Sequence, residues 1–370
     1  MIVKSMSLSG FRNYDCETIH FGDGVNVISG KNAQGKTNLI EAVYYLAAGR
    51  SFRHCVEKDL ISFDCDKSII KAHIISAERE QTIEAHLHRS RRREIYANSV
   101  KLKKVTELTG RLTAVVFGPD DLNMIKDGSA VRRKLMDHSL SQLRPGYHLA
   151  LTEFNKLYEH KRIILRDYHE KPSLLELLDD YDMQIAQYSA KLIYYRTAFT
   201  AGLSRRAALI HNDFSDGLEN LTIKYKTIGD IDTVGKKPDE ILKMVTARQQ
   251  ELRAAELRSG HILSGAHKDD LEIEINGLPS RKFASQGQAR TAAVSIKLAE
   301  RDIHNDDRGE YPVLLLDDVL SELDPKRQSF ILGRITNGQV MITCCDDSAA
   351  NNIKAGTIIQ IDSGKLKVDN

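Results

Sequence analysis

Short apolar runs open the chain. Ile2 to Leu8, Glu17 to Phe21 and Gly24-Val-Asn-Val-Ile-Ser29 read as strands, the last rich in β-branched residues. A glycine-bearing turn follows, and the spacing then becomes helical from about Lys36 to Ala48. Residues 69–102 alternate apolar and polar positions with polar breaks, the pattern of an antiparallel meander with one wet face. From about Leu122 to Phe214 apolar residues such as Leu149, Phe154, Leu157, Ile164 and Leu165 fall at helical spacing, with a break at Pro172. This predicts a helical insertion of roughly 90 residues. Arg248 to Arg258 continues as a charged helix, and Leu271 to Phe283 is a hairpin announced by Asn276-Gly277. A helix from about Gln288 to Asp302, a buried strand Val313 to Leu316, a helix near Pro325 to Ile335 and a last strand Val340 to Cys344 complete the reading. The sequence carries no internal repeat.

Length and composition narrow the class. A chain of 370 residues predicts two compact units, and 41% hydrophobic with 28% charged residues excludes wholesale disorder. No uncharged apolar run approaches the roughly 18 residues of a membrane helix, and the first residues lack an apolar h-region. A soluble, cytoplasmic protein without a membrane partner is expected. Five cysteines, with no C-x-x-C spacing among them, suggest neither a disulfide framework nor a zinc site. The net charge of +2 conceals an uneven distribution: Arg79 to Lys134 holds 13 Lys/Arg against 7 Asp/Glu. Arg91, Arg92, Arg93, Lys101, Lys103 and Lys104 fall in this stretch and are candidates for binding DNA phosphates. A solvated charged face is the alternative.

Three motifs carry the chemistry. Gly30-Lys31-Asn32-Ala33-Gln34-Gly35-Lys36-Thr37 fits G-x-x-x-x-G-K-[ST] between a predicted strand and a predicted helix. Glycines let backbone N–H groups converge on phosphate oxygens, and the helix N-terminus adds positive potential. Lys36 would reach the β- and γ-phosphates, and Thr37 would place its hydroxyl on Mg²⁺. The partner motif is a hydrophobic strand ending in acid, Val313-Leu-Leu-Leu-Asp317-Asp318. Asp317 is the magnesium candidate and Asp318 the residue that orients or deprotonates the attacking water. Lys36 and Asp317 lie 281 positions apart, so a large insertion separates two halves of one site. The third motif, Ser285-Gln286-Gly287-Gln288, opens a helix 32 positions before Asp317. It reads as a helix cap or as a second anion site.

This combination resembles the ATPase heads of the ABC and SMC type, and among them the RecF family. The resemblance covers nearly the whole chain: Phe11-Arg12-Asn13-Tyr14, Lys36 to Arg53, Arg132-Arg133-Lys134-Leu-Met-Asp137, Gly265-Ala-His267-Lys268-Asp-Asp-Leu271 and Ser321-Glu-Leu-Asp324. It implies an α/β fold: a P-loop ABC-type ATPase head with an antiparallel β subdomain and a helical second lobe. The lobes would be 1–120 for the N-terminal part of the ATP-binding lobe, 121–260 for helical lobe II, and 261–370 for the C-terminal part with signature motif and acids. Position by position, it makes residues Gly30 to Thr37, with Asn38, the nucleotide-binding loop. Ser285, Gly287 and Gln288 become the signature that closes on the γ-phosphate held by a second copy. Ser321 and Asp324 become the loop that crosses that dimer interface, and Arg12 and Asn13 lie near the base or phosphates. ATP and Mg²⁺ are the implied cofactors. The implied role is recombinational repair, in which an ATP-dependent homodimer binds gapped or junction DNA and promotes RecA loading with RecO and RecR.

The chain also departs from the wider pattern. It has Thr343-Cys-Cys-Asp346 after the last core strand and no histidine, so slow hydrolysis is expected. The stretch Phe117-Gly-Pro-Asp120 is the candidate Q-loop. The insertion offers helices of about 24 and 40 residues, or about 36 and 60 Å, too short for a long coiled-coil arm. The alternatives to a DNA-binding switch are the nucleotide-binding subunit of an ABC transporter, another SMC-like ATPase and a small-molecule phosphotransferase.

Overall fold

A computed structural model describes residues 1–53, 55–227, 229, 232–345 and 356–367, and the chain packs as two units. The first comprises Met1–Asn123 and Ala293–Asn370, the second Met124–Ala292.

The first unit is built from two six-stranded sheets. One is antiparallel, in the order Tyr14–His20, Ile2–Phe11, Lys67–Ser76, Arg79–His88, Glu94–Ala97, Val100–Lys101. Its strands alternate buried and open positions, as in Ile69 to Ala72, because only one face meets the core. The other sheet runs Lys365–Leu366, Thr357–Asp362, Val25–Ser29, Val340–Cys344, Val313–Leu316, Ala114–Phe117. Its last five strands are parallel. All four residues of Val313–Leu316 are buried, which explains their continuous apolar run. The helix Lys36–Ala48 shares one hydrophobic core with both sheets, through Leu39, Ile40, Val43, Tyr44 and Leu46. Such a helix is apolar nearly all round because it is covered nearly all round.

Register decides where the chemistry can occur. Cys344 pairs with Ser29, and Leu316 pairs with both Ile342 and Phe117. The strand ends are therefore level, and the segments beginning at Gly30, Asp317, Gly118 and Cys345 emerge along one edge. This is the carboxyl edge at which open parallel sheets bind ligands.

The second unit holds helices Ser129–Leu143, Pro145–Asp167, Leu178–Phe214 and Pro238–Ser259. The helices over 145–167 and 178–214 run 23 and 37 residues. A three-stranded sheet joins them, with Asp270–Ile275 between Leu221–Lys226 and Leu278–Pro279. Asn276 and Gly277 both have positive φ, 52° and 76°, the conformation of a tight hairpin turn. Buried ion pairs hold the helices: Lys161 meets Asp182 at 2.6 Å and Glu256 at 2.5 Å, and Arg196 meets Asp137 at 2.8 Å and Asp269 at 2.9 Å.

The boundaries expected from the sequence shift in one respect. Residues 261–292 pack with the second unit and not with the ATP-binding lobe, because Asp270–Ile275 pairs with Leu221–Lys226. The motif Ser285–Gln288 thus belongs to the second unit, and the helix Gln286–Arg308 carries the chain on into the first.

Candidate functional site

The loop between Ser29 and Lys36 can close only with residues that tolerate its backbone. Gly30 has φ 150°, and a Cβ there would lie 2.3 Å from the carbonyl oxygen of Ile361. Gly35 has φ 114°, and a Cβ there would lie 2.7 Å from Asn13 Nδ2. Both positions exclude a side chain on space as well as on torsion. Lys36 is buried and folds back over the loop, its Nζ donating to the carbonyls of Gly30 at 2.6 Å and Lys31 at 2.9 Å. Lys31, Asn32 and Ala33 are exposed along the loop.

Thr37, first turn of the helix, donates its hydroxyl to Asp317 Oδ1 at 2.8 Å. Asp318 has φ 52°, an uncommon conformation for a residue with a side chain. Thr343 stabilises it: the Asp318 N–H donates to Thr343 Oγ1 at 2.8 Å, and that hydroxyl lies 3.2 Å from Asp317 Oδ1 and 3.2 Å from Asp318 Oδ1. One hydroxyl proton is thus shared between two carboxylates. Burial raises the Asp317 pKa above the ordinary carboxylate value, opposed by the Thr37 hydrogen bond and reinforced by the charge of Asp318. A cation placed there would relieve both costs. Asn32, Lys36, Thr37, Asn38, Arg53 and Asp318 border a depression of about 150 Å³.

Other expected site residues hold the loop from behind. Asn13 Nδ2 donates to the Gln34 carbonyl at 2.9 Å, while Asn38 Nδ2 donates to Asn13 Oδ1 at 2.8 Å. Gln34 faces the C-terminal hairpin: its carbonyl accepts from the Gly364 N–H at 2.9 Å and its Oε1 from the Ser363 hydroxyl at 3.1 Å. Arg12 is held within the first unit. Its guanidinium forms two 2.9 Å hydrogen bonds with Glu41, a fully buried carboxylate that also accepts from the Ser51 hydroxyl at 2.5 Å and lies 3.7 Å from Arg53. Burial pulls the Arg12 pKa down, but Glu41 outweighs it and holds it above its ordinary value.

The residues of the basic stretch differ in their surroundings. Arg93 is spent inside the first unit, donating to Tyr45 Oη at 2.9 Å and the Gly49 carbonyl at 2.6 Å and pairing with Glu57. Glu94 neutralises Lys101 and lies 3.6 Å from Arg91. Arg92, Lys103 and Lys104 are exposed.

In the second unit, Ser285 and Gln288 cap a helix reciprocally. The Gln288 N–H donates to Ser285 Oγ at 3.1 Å and the Ser285 N–H to Gln288 Oε1 at 2.9 Å. Gln288 Nε2 also donates to Glu219 at 2.8 Å. Ser285 is exposed and Gly287 is half-buried. In the first unit Ser321 donates to the Asp318 carbonyl at 2.6 Å, and Asp324 caps the helix Pro325–Arg334 by accepting from the Arg327 N–H at 3.0 Å.

Sequence reasoning left Thr343, Arg53, Tyr14 and Cys345 without roles. Tyr14 Oη donates to the Gly35 carbonyl at 2.9 Å, Arg53 to Asn38 Oδ1 at 3.0 Å, and Cys345 Sγ to Asn32 Oδ1 at 2.8 Å. The available signal for Thr343 was a polar residue near the end of an otherwise apolar strand. Asp346 lies outside the described residues.

Known proteins resemble this chain along its length. The RecF/RecN/SMC N-terminal domain family matches residues 2–367. The DNA replication and repair protein RecF of Acetivibrio thermocellus is 38% identical over 99% of both chains, and that of Clostridium kluyveri 37% over 99% of both. The solved structure of the recombination mediator protein RecF–ATPrS in the RecFOR pathway superimposes with a TM-score of 0.92 at 32% identity, covering 99% of this chain and 97% of that one. An Smc head domain from Pyrococcus furiosus shares the fold, with a TM-score of 0.55 at 16% identity. Fold and site together define a P-loop head of the SMC-like ATPase class. Within that class, the chain belongs to the RecF family of DNA replication and repair proteins.

Proposed function

We propose that this chain is an ATP-gated DNA-binding switch with weak ATPase activity. The observation that carries the reading is the Thr37–Asp317–Thr343–Asp318 constellation beside Lys36. It sets two hydroxyls, two carboxylates and an ammonium around one strand edge, from segments remote in sequence. The solved structures of the recombination mediator protein RecF with ATP and with ATPrS support the reading that this chain binds nucleotide.

The donor set suits Mg²⁺, which takes oxygen ligands and few protein side chains. Thr37 and Asp317 would hold it, and when bound it neutralises charge on the β- and γ-phosphate oxygens. Lys36 would exchange its loop carbonyls for phosphate oxygens. Asp318, held by Thr343, would orient the attacking water and take its proton.

In the dimeric form of this reading, Ser285, Gly287 and Gln288 of one copy close on the γ-phosphate of the other, with Ser321 and Asp324 near the interface. ATP would join the heads, the joined heads would hold duplex DNA at gaps or junctions, and hydrolysis would release it. If ATP favours the dimer and the dimer favours DNA, DNA must favour the ATP-bound dimer by the same coupling energy. By family resemblance, RecO and RecR would act with it to promote RecA loading.

Sedimentation with and without a slowly hydrolysed ATP analogue tests the dimer. The native chain should associate with the analogue, while Ser285→Ala should bind nucleotide and remain monomeric. Equal association of the Ser285 variant would overturn the signature assignment.

A further inference from the structure

Two segments singled out in the sequence, Arg132-Arg133-Lys134 and Gly265 to Asp270, converge in the second unit. Most of their charge is satisfied there. Arg132 makes a bidentate pair with Asp270, 2.7 and 2.9 Å, and donates to the carbonyls of Met124 and Asp127, each at 2.8 Å. Asp269 is taken by Arg196 and Tyr225.

Two cations beside this network make no ion pair with it, although Arg133 feels the charges of Arg196, Asp269, Asp270 and Asp137 through space. Arg133 Nη1 donates only to neutral oxygens, Ser129 Oγ at 2.7 Å and the Asp269 carbonyl at 2.8 Å. Among the described residues neither Arg133 nor the exposed Lys268 forms an ion pair. Both border a depression of about 560 Å³ whose walls include Phe154, Tyr158 and His267. The Tyr158 and His267 rings are 4.7 Å apart. Glu159, a carboxylate on the rim, is already paired with Arg162 at 2.8 Å. The balance in this depression is therefore positive, and its aromatic wall strengthens the field by excluding water.

The contrast with the part of the basic stretch that lies in the first unit is direct. There Glu57 and Glu94 neutralise Arg93 and Lys101, whereas here the cations lack carboxylate partners. Arg133 keeps its Nε and Nη2 edge, a fork that matches two oxygens of a phosphate. His267 has a buried Nδ1 without a hydrogen-bond partner among the described residues. Burial lowers its pKa to about 4, and a neighbouring anion would favour the imidazolium, turning Nδ1 into a donor.

We propose that Arg133 and Lys268 form a seat for a backbone phosphate of duplex DNA on the second unit. The inference rests on the reading of this chain as a DNA-binding protein and joins Arg133, at the end of the basic stretch, to Lys268, which lies 135 positions further along the chain. Phosphodiester and free-nucleotide phosphate share the chemistry, and the experiment separates them.

The test is anisotropy of a labelled gapped duplex across a salt series, with the ATP analogue present, for the native chain, Lys268→Glu and Arg133→Gln. Lys268→Glu changes an exposed side chain and should keep the native melting temperature, so it stays informative if Arg133→Gln fails to fold. Loss of one charged contact predicts roughly tenfold weaker DNA binding and a salt slope shallower by about 1. In the native chain the His267 ring should titrate at higher pH once DNA is bound. If Lys268→Glu matches the native affinity and slope, the phosphate seat is overturned and the DNA-binding reading survives. If it weakens nucleotide binding and leaves DNA binding unchanged, the seat takes free-nucleotide phosphate and the proposal fails. If the native chain binds no DNA in either nucleotide state, both readings fall together.

Discussion

Thr37 Oγ1 donates to Asp317 Oδ1 at 2.8 Å, although the two residues are 280 positions apart in the chain. The contact forms because their strands, Val25–Ser29 and Val313–Leu316, both pair with Val340–Cys344 in one parallel sheet. The intervening strand then supplies Thr343, whose hydroxyl lies between the two carboxylates. A site split by a long insertion is thus reassembled by strand order.

Thr343→Val should separate hydrolysis from binding. Without the hydroxyl, Asp318 loses the acceptor for its N–H and the two carboxylates lose their shared proton donor. Turnover should fall about tenfold or more, the effect of losing a hydrogen bond to a charged group, with KM changed much less. Thr343→Ser should restore most of kcat, since it keeps the hydroxyl. Steady-state kinetics on the three chains check this, and an unchanged kcat in the valine variant would contradict the positioning role.

Asn13→Ala should loosen the phosphate loop without touching the nucleotide. Asn13 accepts from Asn38 and donates to the Gln34 carbonyl, fixing the loop from behind. Two hydrogen bonds of about 1 kcal/mol each limit the fall in global stability to about 2 kcal/mol. Nucleotide affinity, measured with a fluorescent ATP analogue, should drop several-fold while kcat at saturation stays near native.

The first unit should lose stability in mild acid through His304. Burial lowers its pKa from the ordinary 6.5 to about 3. Between those values the unfolded chain binds a proton that the folded chain does not, so stability falls as pH drops from 6.5 towards 3, by up to about 1.4 kcal/mol per pH unit. In the second unit the terms oppose each other. His267, lowered by burial to about 4, acts in the same direction, while Asp269, raised by burial to about 6 against the pull of Arg196, gains a proton in the folded state and stabilises as pH falls below 6. Hydrogen exchange at pH 6.5 and 5 should show the first unit weakening. His304→Gln should reduce that loss, and an identical pH response would contradict the account.

Much of this was legible in the sequence because the motifs impose their own geometry. Gly30 and Gly35 admit no Cβ, and a run such as Val313–Leu316 can only be a covered strand, so both chemical strands were readable. What escaped was set by tertiary pairing. The strand Ala114–Phe117 was not recognised, only its end being noted as the start of the candidate Q-loop, and its place beside Val313–Leu316 follows from a partner 199 residues on. The strand Thr357–Asp362 escaped for the same reason. Arg12 and Arg93 looked available because charge in a sequence carries no record of a buried carboxylate. Glu41, inside an otherwise apolar helix, was the residue that called for Arg12. The two His/Lys- and Arg-rich segments of the second unit could be noticed but not joined, since only the fold places Arg133 and Lys268 around one depression.

The central claim, that nucleotide gates DNA binding, is tested most directly by anisotropy of a labelled duplex with a single-stranded gap at fixed salt, with and without a slowly hydrolysed ATP analogue. Tighter binding with the analogue, abolished by Lys36→Ala, is the predicted result. Equal affinity with and without nucleotide in the native chain, or a Lys36→Ala chain that responds to the analogue as the native one does, would contradict it.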